Sequence, residues 1–380
     1  MAKPDKDWSL KQVRAREALN ALAAKNGSNL WRDINVAHLD TGIRPHPLFG
    51  AWVDLAAGYN FMESGQPPID PLNSATYGGH GTRTLSVLTG ALPGQFQGVA
   101  AQVPVIPYRV ADDVLLGTKQ EQSNIARAIY HAIDERSCEV ITISMGYPLV
   151  ATFWHNALGA AVDYAYQRGV IVIAAGGQVI DKPCYPGKFF RAIAAGGYRK
   201  ASIESPLSIY QDYFQKEASG SGRGGARKTS VTWFRSFIDV WGPADPVWRL
   251  GVAAGNGGTS SESVFTYDFG DGTSYATPHV SAAAAMWLAY NQAEIIAAYP
   301  QPWQRVEAFR LLLKRSAQNL SALADFKGMK PTGSNKPRKK GDTSTLGETG
   351  GLDILALLQA PLPPANALVQ ETRLAEHQAL

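Results

Sequence analysis

Cysteine is almost missing from this chain: Cys138 and Cys184 are the only two in 380 residues. Two thiols cannot staple a disulfide scaffold, and their spacing matches no zinc-binding cluster. A reducing compartment is expected, with Cys138 reading as a small buried hydrophobe. Long apolar runs are missing as well. The longest, 169–176 and 280–290, fall well short of the roughly 20 residues of a membrane span. The first 20 residues carry Lys3, Asp5, Lys6, Asp7, Lys11, Arg14 and Glu17 and no stretch of signal-peptide type, so the expectation is a soluble, cytoplasmic protein. Net charge is slight, at +4. Basic residues are scattered apart from Lys336, Arg338, Lys339 and Lys340, so neither nucleic acid nor membrane is expected as a partner.

What remains is ordinary globular composition, 45% apolar and 18% charged, with no internal repeat. Short runs rich in β-branched residues at 35–39, 103–109, 140–144, 170–174 and 192–195 predict strands. Between them, 121–135 places Ile125, Ala128, Ile129, Ala132 and Ile133 on one helical face, and 153–168 does the same with Leu158, Ala161, Val162 and Ala165. That alternation predicts a mostly parallel sheet with crossover helices. Further helices are expected at 277–289 and 304–317. One domain is expected over 1–359, with a mobile basic loop at about 327–347. Residues 360–380 read as a C-terminal extension, a short added helix.

Three segments carry the residue types of acid–base and nucleophilic chemistry. Asp40 closes an apolar strand before Thr41 and Gly42, where a carboxylate emerges at a strand end; alone, it reads equally as a turn cap. His80 lies between glycines in Gly79-His80-Gly81-Thr82 at the start of a helix, where the backbone can bring an imidazole close to a partner. Ser274 lies in Gly272-Thr273-Ser274-Tyr275-Ala276-Thr277-Pro278-His279, a turn leading into a helix, and a plain helix cap is its blander reading. His38, His46 and His279 read as core or turn residues.

Together, Asp40-Thr41-Gly42, His80-Gly81-Thr82 and Gly272 to Val280 resemble the three signature segments of subtilisin-like serine peptidases, in that family's order of Asp, His and Ser. Ile143-Ser144-Met145-Gly146, Tyr185-Pro186-Gly187-Lys188 and Gly350-Gly351-Leu352-Asp353 extend the resemblance. It implies a three-layer α/β subtilisin-like fold, a mostly parallel central sheet flanked by helices, and an intracellular endopeptidase without cofactor or metal. Ser274 is then the nucleophile that forms an acyl-enzyme, His80 the general base and Asp40 its orienting acid. A protein or peptide substrate is expected along Ser144, Met145, Gly146, Ala175 and Gly176, with Cys184 at the floor of the specificity pocket.

The chain also departs from the family. Its oxyanion asparagine is replaced by Gly177, which has no side-chain donor; Gln178 and Thr273 are the candidate substitutes, and Asn256 of Ala253-Ala254-Gly255-Asn256 is a decoy. The loop at 89–97 lacks the oxygen ligands of a calcium cage. A prodomain has no room before Trp8, so restraint by narrow specificity, a regulatory protein partner or a gated groove is expected. Gly177 also motivates the alternative of a weak or dead relative that binds peptides or regulates. An esterase of the α/β-hydrolase type is disfavoured, because no Gly-x-Ser-x-Gly elbow occurs.

Overall fold

Val36–Asp40 forms a strand, β1, in which every residue is buried, as a strand covered on both faces requires. The computed structural model describes residues 5–74, 76–147, 156–177, 184–200, 207–209, 238–254, 263–318 and 350–377. Around β1 stand β2 (Tyr59–Asn60), β5 (Val105–Arg109), β6 (Val140–Ile143), β7 (Ile171–Ala175), β8 (Ile193–Lys200) and β10 (Val240–Asp245). They form a parallel sheet in the order β10-β8-β7-β6-β1-β5-β2, and β9 (Leu207–Ile209) pairs antiparallel with β8. The small hairpins are β3 (Ala91–Leu92) with β4 (Phe96–Gln97), and β11 (Val247–Ala254) with β12 (Ser263–Gly270).

Successive strand residues point to opposite faces, and two apolar layers result. Val36, Val105, Val140, Ile171 and Val240 pack with the helices α2 (Ala15–Asn26), α3 (His80–Thr89) and α6 (Thr273–Tyr290). Ala37, Ile106, Ile141 and Val172 pack on the other face with α4 (Lys119–Asp134) and α5 (Ala157–Gln167). The short α1 (Trp8–Gln12) precedes α2; α7 (Gln292–Ala298), α8 (Pro302–Ser316) and α9 (Ile354–Gln359) follow α6. The three-layer α/β expectation is thus met, each expected strand falling within a few residues of an observed one. α6 is buried all round from Tyr275 to Ala289, the mark of a core helix.

Two expectations need correction. The helix expected from 277 starts at Thr273 and runs through Pro278. A proline has no N–H to give to the carbonyl four residues back, and that carbonyl, Ser274 O, accepts instead from the Ser144 hydroxyl at 3.0 Å. The added C-terminal helix is two 3-10 turns, Ala365–Ala367 and Ala375–His377; Pro361, Pro363 and Pro364 leave too few N–H donors there for an α-helix. The tail is tied down through Asp163, whose carboxylate accepts from Ala375 N, Glu376 N and the buried Arg191 at 2.9–3.0 Å. The basic loop at 327–347, Gln178, Asn256 and 153–155 lie outside the described residues.

Candidate active site

Two glycines let the turn after β1 and the start of α3 come together. Gly42 has φ +94°, and a Cβ there would meet the backbone of Ile69 and Asp70 at 2.8–2.9 Å. A Cβ on Gly81 would lie 2.1 Å from Gly42 O, so only glycine permits the approach. Gly79, in the left-handed conformation at φ +80°, turns the chain into α3 with His80 as its first residue.

The result is a buried carboxylate–imidazole pair. His80 Nδ1 lies 2.7 Å from Asp40 Oδ1. The same oxygen accepts from Thr41 N–H at 2.8 Å, and Asp40 Oδ2 accepts from the Thr84 hydroxyl at 3.1 Å. Burial by itself would raise the Asp40 carboxyl, but the charge and hydrogen bond of His80, with His38 and the Thr41 N–H, hold it below its ordinary value. An ionised Asp40 accepts only, so the proton of a neutral His80 sits on Nδ1, which leaves Nε2 basic.

Ser274 is the second residue of α6 and lines the same cleft as His80, a space of about 240 Å³. Its hydroxyl donates to Ser144 O at 2.9 Å. Among the described residues, no hydrogen bond joins it to His80. Ser144, Met145, Gly146, Ala175, Gly177, Cys184 and Thr273 also line the cleft, whereas Gly176 does not; its N–H is bonded to Ala195 O at 2.9 Å within the sheet. The cleft therefore holds a primary alcohol and an oriented imidazole, backed by a buried carboxylate, at the carboxyl end of β1.

Residues 32–344 match the model of the subtilase family of peptidases. The chain belongs to that family. It is 27% identical to thermitase of Thermoactinomyces vulgaris, over 66% of this chain and 73% of that one. It is 29% identical to a thermophilic serine proteinase of Bacillus sp. strain AK1, over 66% of this chain and 51% of that protein. Fervidolysin of Fervidobacterium pennivorans, a keratinolytic enzyme related to subtilisin, shares its fold with a TM-score of 0.60 at 22% identity, covering 95% of this chain and 50% of that one. This chain thus spans about half the length of the last two. Among the described residues, no helix of this subtilase is long and apolar enough to cross a membrane.

Asp70 supports the site and was not singled out in the sequence. Its Oδ2 accepts from the Thr41 hydroxyl at 2.6 Å and from Gly79 N–H at 2.9 Å, and its Oδ1 from Leu72 N–H at 2.7 Å. One carboxylate thereby fixes the residue after Asp40 and the residue before His80. Burial pushes its carboxyl up, against the hydrogen bonds that lower it. The only signal in the sequence was an acid set among Pro67, Pro68, Ile69 and Pro71.

Gly177 has φ +86°, and a Cβ there would meet Cys184 Cβ at 2.8 Å; a Cβ on Gly146 would lie 2.3 Å from Cys184 Sγ. Both glycines leave room for the Cys184 side chain at the cleft wall, where burial pushes the thiol up to about 12. The Cys138 thiol, likewise buried, also rises to about 12. Neither is a thiolate near neutral pH.

Proposed function

We propose that this subtilase is an endopeptidase whose charge relay is Asp40, His80 and Ser274. Ser274 Oγ attacks the substrate carbonyl carbon while His80 Nε2 takes its proton. That proton passes to the leaving amine as the peptide bond breaks, and water then cleaves the acyl-enzyme ester, restoring Ser274. Asp40 holds the imidazole tautomer and stabilises the imidazolium. The first-turn N–H of Ser274 at the start of α6 faces the developing oxyanion, helped by the Thr273 hydroxyl. The reading rests above all on the 2.7 Å contact between His80 and Asp40 in the cleft that Ser274 lines. A reducing, cytoplasmic compartment fits the two free thiols.

A fluorophosphonate probe tests it. Labelling should be single and fall on Ser274 in the peptide map, with casein hydrolysis lost in step. The second reading, a binding or regulatory relative, draws on the Ser274 hydroxyl pointing to Ser144 O. It predicts an unlabelled protein that still binds peptides.

Restoring a side-chain donor at position 177 should fail. Gly177→Asn places a side chain at positive φ and against Cys184, a strain of about 1–3 kcal/mol. The variant should unfold at lower temperature than the wild type and turn over no faster. A faster enzyme with unchanged thermal midpoint would show that the donor was simply missing.

A further inference from the structure

If the proposed function holds, an extended substrate must pair with the backbone of Ser144, Met145 and Gly146, as a strand adds to an exposed edge. That edge is already taken. Gly146 N–H donates to Val114 O at 3.1 Å, and Leu116 N–H donates to Gly146 O at 3.1 Å, making a parallel bridge of Leu115 with Gly146. Ser144 O is engaged as well, by the Ser274 hydroxyl. The chain's own residues 114–116 thus stand where the peptide backbone has to be.

The segment is built as a movable piece between fixed ends. Before it, Asp113 Oδ1 accepts from Val114 N–H at 2.6 Å and Leu115 N–H at 3.3 Å. After it, a Cβ at Gly117 would meet nothing within 4 Å, and Thr118 caps α4 through a capping box with Glu121. Leu115 is 43% exposed although it is a large apolar side chain, and it lines the cleft together with Val114.

We infer that residues 114–116 form an autoinhibitory strap, which leaves the Gly146 edge about Gly117 when a peptide takes its place. Two backbone hydrogen bonds of ordinary net worth favour the closed form by about thirtyfold. A substrate that binds only the open form has its apparent affinity lowered by the open fraction. The strap therefore acts on KM for extended peptides and leaves kcat alone. It leaves small reagents that need only Ser274 and His80 unaffected.

Two variants test this. Leu116→Pro removes the N–H that Gly146 O accepts. Asp113→Ala removes the acceptor that shapes the strap and alters no residue lining the cleft. Each should lower KM for an extended peptide amide about fivefold, with kcat and the rate of fluorophosphonate labelling unchanged. In Ser274→Ala protein, hydrogen exchange at the Leu116 and Gly146 amides should be slow. On binding the same peptide, Leu116 should become fast while Gly146 stays slow, because the peptide replaces Val114 as its acceptor. Unchanged KM in both variants, or a Leu116 amide still protected in the peptide complex, overturns the strap. Failure of the probe to label wild type and variants alike overturns the peptidase reading on which it rests.

Discussion

Ser274→Ala should lower turnover on a peptide substrate about a millionfold, and Asp40→Asn about ten-thousandfold. The first magnitude is the one established for subtilisin, a member of the same family, and the second is that of the corresponding change in chymotrypsin-type triads. The physical reasons differ. Alanine at 274 leaves no nucleophile. Asparagine at 40 keeps the shape but can present an amide N–H to His80 Nδ1, which then accepts, so the proton moves to Nε2 and the base is lost. Neither change should unfold the protein. The Ser274 hydroxyl makes one hydrogen bond, to Ser144 O, worth about 1 kcal/mol. His80→Ala added to Ser274→Ala should cost almost nothing further, since the residues act as a unit. Steady-state kinetics with thermal unfolding of each variant checks all of this; a Ser274→Ala enzyme within tenfold of wild type defeats the proposal.

Much of the frame that holds these residues could be read from the residues themselves. β1, β5, β6 and β7 are continuous apolar runs, because both faces of a parallel sheet are covered, and such runs stand out. α4 was legible from its apolar face and from Thr118 and Glu121 at its start. The hairpin of β11 and β12 was not. Its exposed and intermediate residues, among them Arg249, Thr266 and Asp268, break the pattern that a buried strand shows. Asp70 was hidden for another reason: its role lies in three hydrogen bonds to segments distant in sequence or locally irregular, which no periodicity records. The occupied Gly146 edge was equally invisible, since the pairing of 114–116 with 146 depends on tertiary approach. Pro278 misled because proline is common at the first turn of a helix; here the Ser144 hydroxyl satisfies the carbonyl it frees.

Acid should unfold this protein well before its surface carboxylates are protonated, through two histidines outside the proposed relay. His38 and His279 are fully buried, and burial lowers each to about 4 from an ordinary 6.5. For His38 the charge of Asp40 opposes burial and that of His80 adds to it; for His279 the contact with Tyr275 O opposes it. His38 Nε2 meets the Thr84 hydroxyl at 2.9 Å and His279 Nδ1 meets Tyr275 O at 2.6 Å, while the second nitrogen of each ring has no partner. A second proton would make that nitrogen a buried, charged and unpaired donor. The folded state therefore keeps both rings neutral. Their contribution is complete above pH 6.5, and it is lost between 6.5 and 4 as the unfolded chain takes up protons that the folded chain refuses. Over that window each residue removes about 3 kcal/mol and the pair about 6 kcal/mol, comparable to the whole stability of many domains. Asp40 and Asp239, held low by their partners against burial, add to the loss at still lower pH. Asp70, Glu139 and Glu307, which burial raises, work the other way and soften the fall. Urea unfolding of Ser274→Ala protein, which cannot digest itself, should show the midpoint dropping steeply from pH 7 to pH 4.5. The same protein carrying His38→Gln and His279→Gln should start less stable and show a flatter dependence. Equal slopes in the two proteins would mean that other groups set the acid limit.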